Sequence, residues 1–254
     1  MDLGLKDRRA FVAAASKGLG FACARALADE GARVFISSRS EASIKAAAEK
    51  VGAAGWKAAD VSKPGDPEAA VEAAARELGG LDILVVNSGG PPAATFQATK
   101  LADWDAAHGL LMMGAVRLIS AALPHLKASG QGRILIITSI TVRQPIPNLV
   151  LSNAIRAAVT GMAKTLSAEL GPDGITVNCI APGTILTDRI RQLAAADGGD
   201  VDAGIRRMGL DVPARRIGTP EELGATCAFL SSKQAGYITG QTIGIDGGAL
   251  VGVH

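Results

Sequence analysis

The sequence is poor in several residue types. It holds one tyrosine, two tryptophans and three cysteines in 254 residues, and aromatics make up 3% of it. Cys23, Cys179 and Cys227 are odd in number and far apart, which provides neither a disulfide framework nor a metal-ligand spacing and fits a reducing, cytoplasmic setting. The formal charge is only +2, and no Lys/Arg block is interleaved with aromatics, so no electrostatic footprint for nucleic acid is present. The pairs Arg8-Arg9, Arg206-Arg207 and Arg215-Arg216 read as solvated surface. No uninterrupted apolar stretch matches the thickness of a bilayer, so a soluble chain with no membrane partner is expected. Arg8-Arg9 does precede an apolar run, Phe11 to Ala15, but Ser16-Lys17 breaks it at once, which argues against an export signal.

Hydrophobic residues at 48% and 31 glycines dominate instead, as suits a layered fold with many tight turns. Short Val/Ile-rich runs at Ala10 to Ala14, Arg33 to Ser37, Leu81 to Val86, Ile134 to Thr138, Thr176 to Ile180 and Thr242 to Ile245 have the character of buried parallel strands. Between them Gly20 to Glu30, Glu41 to Val51, Pro67 to Leu78, Leu101 to Leu126, Leu151 to Leu170 and Pro220 to Leu230 carry apolar residues at helical spacing. The alternation predicts an α/β fold, a doubly wound parallel (Rossmann) sheet with helices on both faces, formed as a single domain over residues 1–254. Asp66-Pro67 and Thr219-Pro220 each read as a cap followed by Pro at the first helical position. Asp188 to Gly218, which includes Gly198-Gly199, has no clear period. It reads either as a surface excursion or as a lid over the site.

In such folds, functional residues follow the carboxyl ends of strands. After the first strand comes Ala13-Ala14-Ala15-Ser16-Lys17-Gly18-Leu19-Gly20, a Gly-rich turn that opens a helix. It is either an ordinary loop or a turn whose N–H groups approach a pyrophosphate. Further landmarks follow later strands: Asp60-Val61, Asn87-Ser88-Gly89-Gly90, Ser139, and Pro182-Gly183 with Ile185 and Thr187. Taken singly, these could be strand ends and turns. Jointly and in this order they resemble the short-chain dehydrogenase/reductase family, and within it the 3-oxoacyl-acyl-carrier-protein reductases. The resemblance implies a nicotinamide dinucleotide held by Ala14, Ser16, Lys17, Gly18, Leu19, Gly20, Asp60, Val61, Asn87, Gly89, Pro182, Gly183, Ile185 and Thr187. Ala13 and Ala14 stand where the family keeps Thr and its first Gly, so a methyl group sits at a position usually bare.

At the end of the second strand, an acidic residue would bond a ribose 2′-hydroxyl and repel a 2′-phosphate. Ser38 and Arg39 stand there instead, and Lys17 lies in the turn, a set that suits NADP(H). The alternative is that both cations are simply solvated.

The catalytic positions depart from the family pattern. The resemblance implies a carbonyl-polarising Ser, a Tyr that moves the proton, a Lys four positions later and an Asn on the preceding helix. Ser139 is in place, but Ser152 stands for Tyr, Arg156 for Lys and Leu111 for Asn. Ser152 and Arg156 are i,i+4 and share one helical face. An aliphatic alcohol is far less acidic than a phenol, and Arg stays protonated, so Ser152 is a poor acid or base. Arg156 is therefore read as a ribose contact that, with Ser139, stabilises an alkoxide while water supplies the proton. His108, one turn before Leu111, either approaches the site or is surface. Asn148 and Asn153 orient substrate or cap the helix, and Tyr237 is read as structural.

The leading expectation is an NADP(H)-dependent oxidoreductase acting on a small-molecule carbonyl or alcohol. Its rivals are a non-catalytic relative that serves as a nucleotide or metabolite sensor or assembly partner, and an enzyme of different chemistry. The resemblance also implies a homotetramer built through 101–126, 151–170 and 240–253.

Overall fold

A computed structural model describes residues 1–195 and 200–252, and the statements below concern these. Gly198-Gly199 and Val253, named above, lie outside them. Seven parallel strands form one sheet in the order β3-β2-β1-β4-β5-β6-β7. They are β1 (Arg9–Val12), β2 (Arg33–Ser38), β3 (Gly55–Ala58), β4 (Ile83–Val86), β5 (Arg133–Ile137), β6 (Thr176–Pro182) and β7 (Thr242–Ile245). The central strands β4, β5 and β6 are buried along their whole length, which is why they read as unbroken apolar runs. Six strands fall on the expected runs. The third was missing from those runs because Gly-Trp-Lys-Ala has no apolar repeat and sits half-covered at the sheet edge.

Two helical layers follow from the crossovers. On one face α1 (Gly18–Asp29), α2 (Glu41–Val51) and α9 (Pro220–Ser231) bury Cys23, Leu27, Ile44 and Leu223 against Val12, Ile36 and Leu135. On the other, α3 (Asp66–Leu78), α5 (Gly114–Ser129) and α6 (Val150–Glu169) bury Val71, Leu118 and Val159 against Phe11, Leu84 and Ile134. The strand order reverses between β1 and β4, so the crevice where ligands bind in such sheets opens at their carboxyl ends.

Several expectations change. Asp66 is the first residue of α3, and its carboxylate accepts from the Asp60 N–H at 2.9 Å; Gly65 takes the capping position. Thr219 caps α9 as expected, with Glu222 completing the reciprocal box. The run Leu101–Ser129 joins α4 (Leu101–Ala107), a π-helical turn (His108–Met113) and α5 into 29 residues with mean hydropathy 1.5. By length and composition it could cross a bilayer, although Arg117 interrupts its apolar run. Its buried stripe, Leu111, Ala115, Leu118, Ala122 and Leu126, is that of a core helix. Tyr237 is fully exposed on the chain and packs against nothing structural. Cys23 and Cys227, distant in sequence, meet between α1 and α9. The hydrogen bond between the thiols, together with burial, holds Cys23 well above the ordinary thiol range.

Arg8-Arg9 is the largest correction, because this pair is not solvated surface. Arg9 donates to both Asp82 oxygens through Nε at 2.9 Å and Nη2 at 2.7 Å, and through its own N–H at 2.8 Å. Ser129 Oγ adds a bond at 2.6 Å, and Arg8 lies 3.7 Å away. Burial favours the neutral Asp82 carboxyl, but the bonds from Arg9 and Ser129 outweigh it and bring its pKa down to about 2. The cluster ties the start of β1 to the start of β4 and to the end of α5.

A folded-state pKa below the unfolded value contributes stability that is present above about pH 4 and lost as pH falls toward 2. Asp82→Asn is therefore expected to lower unfolding free energy at pH 7 by about 3 kcal/mol, since it leaves guanidinium charge buried without its partner. It should also flatten the acid limb of stability between pH 4 and 2. Denaturant titrations across that range check both.

Candidate active site

The turn after β1 is shaped by one buried amide. Asn87, just past β4 and 8% exposed, donates from Nδ2 to the carbonyls of Ala13 at 3.3 Å and Ala14 at 3.1 Å. Ala14 adopts a left-handed φ of +50°, and Gly18 one of +59°. A Cβ on Gly20 would come within 2.6 Å of both the Ala14 carbonyl oxygen and Asn87 Nδ2. The position accepts only Gly. Ser16 and Leu19 are half-buried beside the start of α1, whose first turn has N–H groups without helical partners. Lys17 Nζ forms an exposed 3.0 Å ion pair with Asp188, the first residue of α7 (Asp188–Ala195).

Ser37 and Ser38 end β2 with both hydroxyls buried and, among the described residues, without a hydrogen-bond partner. Such orphaned groups at a strand's carboxyl end fit a ligand that brings acceptors. Arg39 is exposed beside them. At Asp60 burial favours the neutral acid, but the Ser62 hydroxyl and N–H, with the Arg39 and Lys63 charges, hold the carboxyl below its ordinary value. That carboxylate shapes its own turn through Ser62 at 2.7 and 2.9 Å. Val61 is buried against the start of α5, with its carbonyl oxygen where a Cβ on Gly114 would sit. Together the bare Gly20 cradle and the orphaned Ser38 hydroxyl fit a dinucleotide.

At β6, Pro182 is the last strand residue and Gly183 presses on Asp246, where a Cβ would stand at 2.8 Å. Ile185 is buried and bridges to Gly218, so the base of the 188–218 excursion is pinned shut. Within it lie α7 and α8 (Val201–Leu210), helices the sequence pattern did not reveal. Thr187 faces the turn, its Cγ2 3.7 Å from where a Cβ on Gly18 would be. Gly89 is exposed at the cleft.

Beyond β5, Ser139 caps a single 3-10 turn (Ile140–Val142), and its Oγ accepts from the Thr141 N–H at 3.2 Å. Thr141 is buried, and its hydroxyl meets Ser152 Oγ at 3.5 Å. Sequence reasoning missed Thr141; a second hydroxyl two residues past Ser139 was the available signal. Arg156 Nη1 donates to the carbonyl of Ile137, the last residue of β5, at 3.0 Å. Arg156 lines a small cavity with Asn87, Ser88, Leu111 and Thr138. Leu111 therefore packs at the site, inside the π-helical turn, whereas His108 is exposed. The structure thus brings Ser139, Ser152 and Arg156 together around the end of β5.

Residues 13–249 match a family described as enoyl-(acyl carrier protein) reductase. The short-chain reductase protein NovJ of Streptomyces niveus is 35% identical over 243 residues, covering 94% of this chain and 92% of that protein. The chain belongs to the short-chain dehydrogenase/reductase family. Another relative, the 3-oxoacyl-acyl-carrier-protein reductase FabG of Vibrio cholerae, is 33% identical over 97% of this chain and 98% of its own. Among solved structures, L-sorbose reductase from Gluconobacter frateurii, complexed with NADPH and L-sorbose, superposes with a TM-score of 0.93 at 33% identity and full coverage of both chains. The short-chain dehydrogenase/reductase fold expected from the strand-end landmarks is thus the observed one.

Two substitutions test the turn. Ala14→Gly removes the cost of a side chain at positive φ and is expected to raise stability by about 1 kcal/mol, measured by denaturant unfolding. Gly20→Ala, which must displace backbone, is expected to lower it by a similar amount or more and to abolish dinucleotide binding.

Proposed function

We propose that this short-chain dehydrogenase/reductase is an NADP(H)-dependent oxidoreductase that interconverts a carbonyl and an alcohol through a modified active site. The observation that carries the reading is the orphaned, buried hydroxyl of Ser38 beside Arg39, where an acidic residue would reject a 2′-phosphate. The solved L-sorbose reductase with its NADPH supports it. Bound NADP(H) would supply or accept the hydride.

The chain's own residues would do the rest. The Gly18–Gly20 turn and the start of α1 hold the pyrophosphate, and Ser38 and Arg39 receive the 2′-phosphate. Lys17, drawn from Asp188, joins them. Asp60 and Val61 border the adenine, while Gly89, Pro182, Gly183, Ile185 and Thr187 border the nicotinamide end. Ser139 Oγ accepts from the Thr141 N–H, which leaves the hydroxyl proton to be donated to the substrate oxygen. Arg156 contributes positive charge near the developing alkoxide, and solvent delivers the proton that Ser152 is too weak an acid to give. Residues 188–218 act as a lid. The reading includes a cytoplasmic homotetramer assembled through the long helices and the C-terminal segment.

Two contacts favour a non-catalytic sensor instead: Ser152 turns to Thr141, and Arg156 bonds the Ile137 carbonyl. Calorimetric titration separates the two readings. The oxidoreductase reading expects NADPH to bind at least about tenfold tighter than NADH, or ~1.4 kcal/mol, and Ser38→Asp to reverse that order. It also expects NADPH consumption with a carbonyl panel, with Ser139→Ala lowering kcat by about 100-fold. Binding without turnover by wild type, followed by turnover once Ser152→Tyr and Arg156→Lys are introduced together, would establish the sensor.

A further inference from the structure

The amino edge of the sheet, opposite the crevice, carries a concavity of about 420 Å³ between the last turns of α3 and α5. Arg9, Glu72, Arg76, His125 and Ser129 supply its polar lining. Gly79 and Gly80 complete it with consecutive positive φ of +77° and +127°, and a Cβ on Gly80 would overlap the Arg9 guanidinium. The carbonyls that end α3 are already engaged: Gly79 accepts from Arg9 Nη1 at 2.6 Å and Leu78 from Arg33 at 3.0 Å. His125 Nε2 and Glu72 Oε1 lie 3.2 Å apart. Arg76 is exposed and, among the described residues, unpaired.

Hydrogen bonding at this edge is nearly complete, but charge is not balanced. Arg8, Arg9 and Arg133 stand against one carboxylate, that of Asp82. Arg133 is 5% exposed, and among the described residues its guanidinium donates only to carbonyls, those of Gly132 at 2.9 Å, Gln131 at 3.0 Å and Ser232 at 3.4 Å. Arg8 donates to the same Gln131 oxygen at 2.9 Å, so two like charges share one acceptor, and its buried Nε has no hydrogen-bond partner. Burial and the Arg8 charge lower the pKa of Arg133. Burial and the Arg9 charge lower that of Arg8 against the pull of Asp82. Two positive charges are thus in excess at the amino edge, while Arg76 and Glu72 cancel each other at the concavity. Half-buried surroundings screen such an excess far less than water does.

We propose that this concavity is an anion site that takes a phosphate dianion, either the free ion or the head of a small organic phosphate. Asp82 and the Gly79 carbonyl engage three of the five N–H groups of the Arg9 guanidinium, which leaves two for a ligand. Arg76 brings a second guanidinium, and His125, once protonated, a further donor. Phosphate oxygens match the paired N–H geometry of a guanidinium, and a dianion matches the two charges in excess, whereas a monocarboxylate would leave one of them unbalanced. Ala75 and Ala128 add apolar lining, and the volume exceeds that of a bare phosphate, so an organic body fits beside the head. The site lies at the opposite edge of the sheet from Ser139 and does not depend on the oxidoreductase reading.

His125 is one of three histidines and lies in the concavity, so its ring resonance in a proton–carbon correlation spectrum reports occupancy there. Inorganic phosphate and glycerol 3-phosphate, titrated at fixed pH and with sodium chloride holding ionic strength constant, are expected to shift that resonance saturably, and chloride alone is not. Arg76→Gln, at an exposed position without partners, is expected to weaken both ligands about tenfold, or ~1.4 kcal/mol. Glu72→Gln removes the carboxylate that opposes an anion and is expected to tighten both several-fold, a gain that a damaged fold does not mimic. Tighter binding of glycerol 3-phosphate than of inorganic phosphate assigns an organic phosphate to the site, and equal binding assigns the free ion. Ser38→Asp, which repels phosphate from the crevice, is expected to leave the His125 shift unchanged. No saturable shift, an equal shift from chloride, unchanged affinity in both Arg76→Gln and Glu72→Gln, or loss of the shift in Ser38→Asp overturns the proposal.

Discussion

The Asn87 amide joins the two halves of the sheet at the point where strand order reverses, and much of the site depends on it. Its Nδ2 reaches from the end of β4 to the carbonyls of Ala13 and Ala14, which follow β1. A buried amide must be satisfied, and here satisfaction requires that the chain after β1 turn its carbonyls inward. That turn forces Ala14 to positive φ and brings its carbonyl against Gly20, so α1 starts at a fixed distance and angle from the sheet. The direction of the α1 N-terminus, and with it the direction of its free N–H groups, is a consequence of one side chain on a neighbouring strand.

The two ends of the sheet solve opposite problems. At the amino ends of the strands, Asp82 gathers Arg9, Arg8 and Ser129 into a cluster where nearly every polar atom has a partner. At the carboxyl ends, the Ser37 and Ser38 hydroxyls are buried without partners among the described residues, and a non-glycine sits at positive φ in the turn. A fold that leaves polar groups unsatisfied and backbone strained at one edge must be stabilised elsewhere. The Asp82 cluster and the apolar layers on both faces serve that purpose, so the functional edge is free to hold groups whose partners arrive with a ligand.

The fold was legible in the sequence because buried parallel strands must be continuously apolar, and β4, β5 and β6 obey that rule without exception. β3 escaped because an edge strand is under no such demand. The start of α9 was legible because a side chain supplies the cap, as Thr219 does. Asp66 was misread because the same residue type serves equally well as a cap or as an acceptor for a distant N–H. Charge was the least legible feature: Arg8-Arg9 has the composition of surface, and only the fold reveals that Asp82, seventy-three residues from Arg9, waits beneath it. The strand-end landmarks of the site were readable from their order, whereas Thr141 and Asp188 act through contacts that no spacing rule encodes.

The exchanged catalytic residues have a joint physical logic. A Lys ammonium beside a phenol lowers the phenol's pKa, and that arrangement has no meaning once the phenol is an aliphatic alcohol that does not titrate in water's range. With the acid gone, the cation no longer needs to be a compact point charge. Arg156 supplies a planar guanidinium that bonds the Ile137 carbonyl and still lines the cavity beside Asn87 and Ser88. The bond to Ile137 also steadies the end of β5, two residues before Ser139, while Thr141 fixes the Ser139 oxygen from the other side. On the proposed oxidoreductase reading, the substitutions move the site from proton transfer by a tuned side chain toward a rigid hydroxyl held between two braces. In such a site orientation of the substrate body carries more of the barrier reduction than acid strength does.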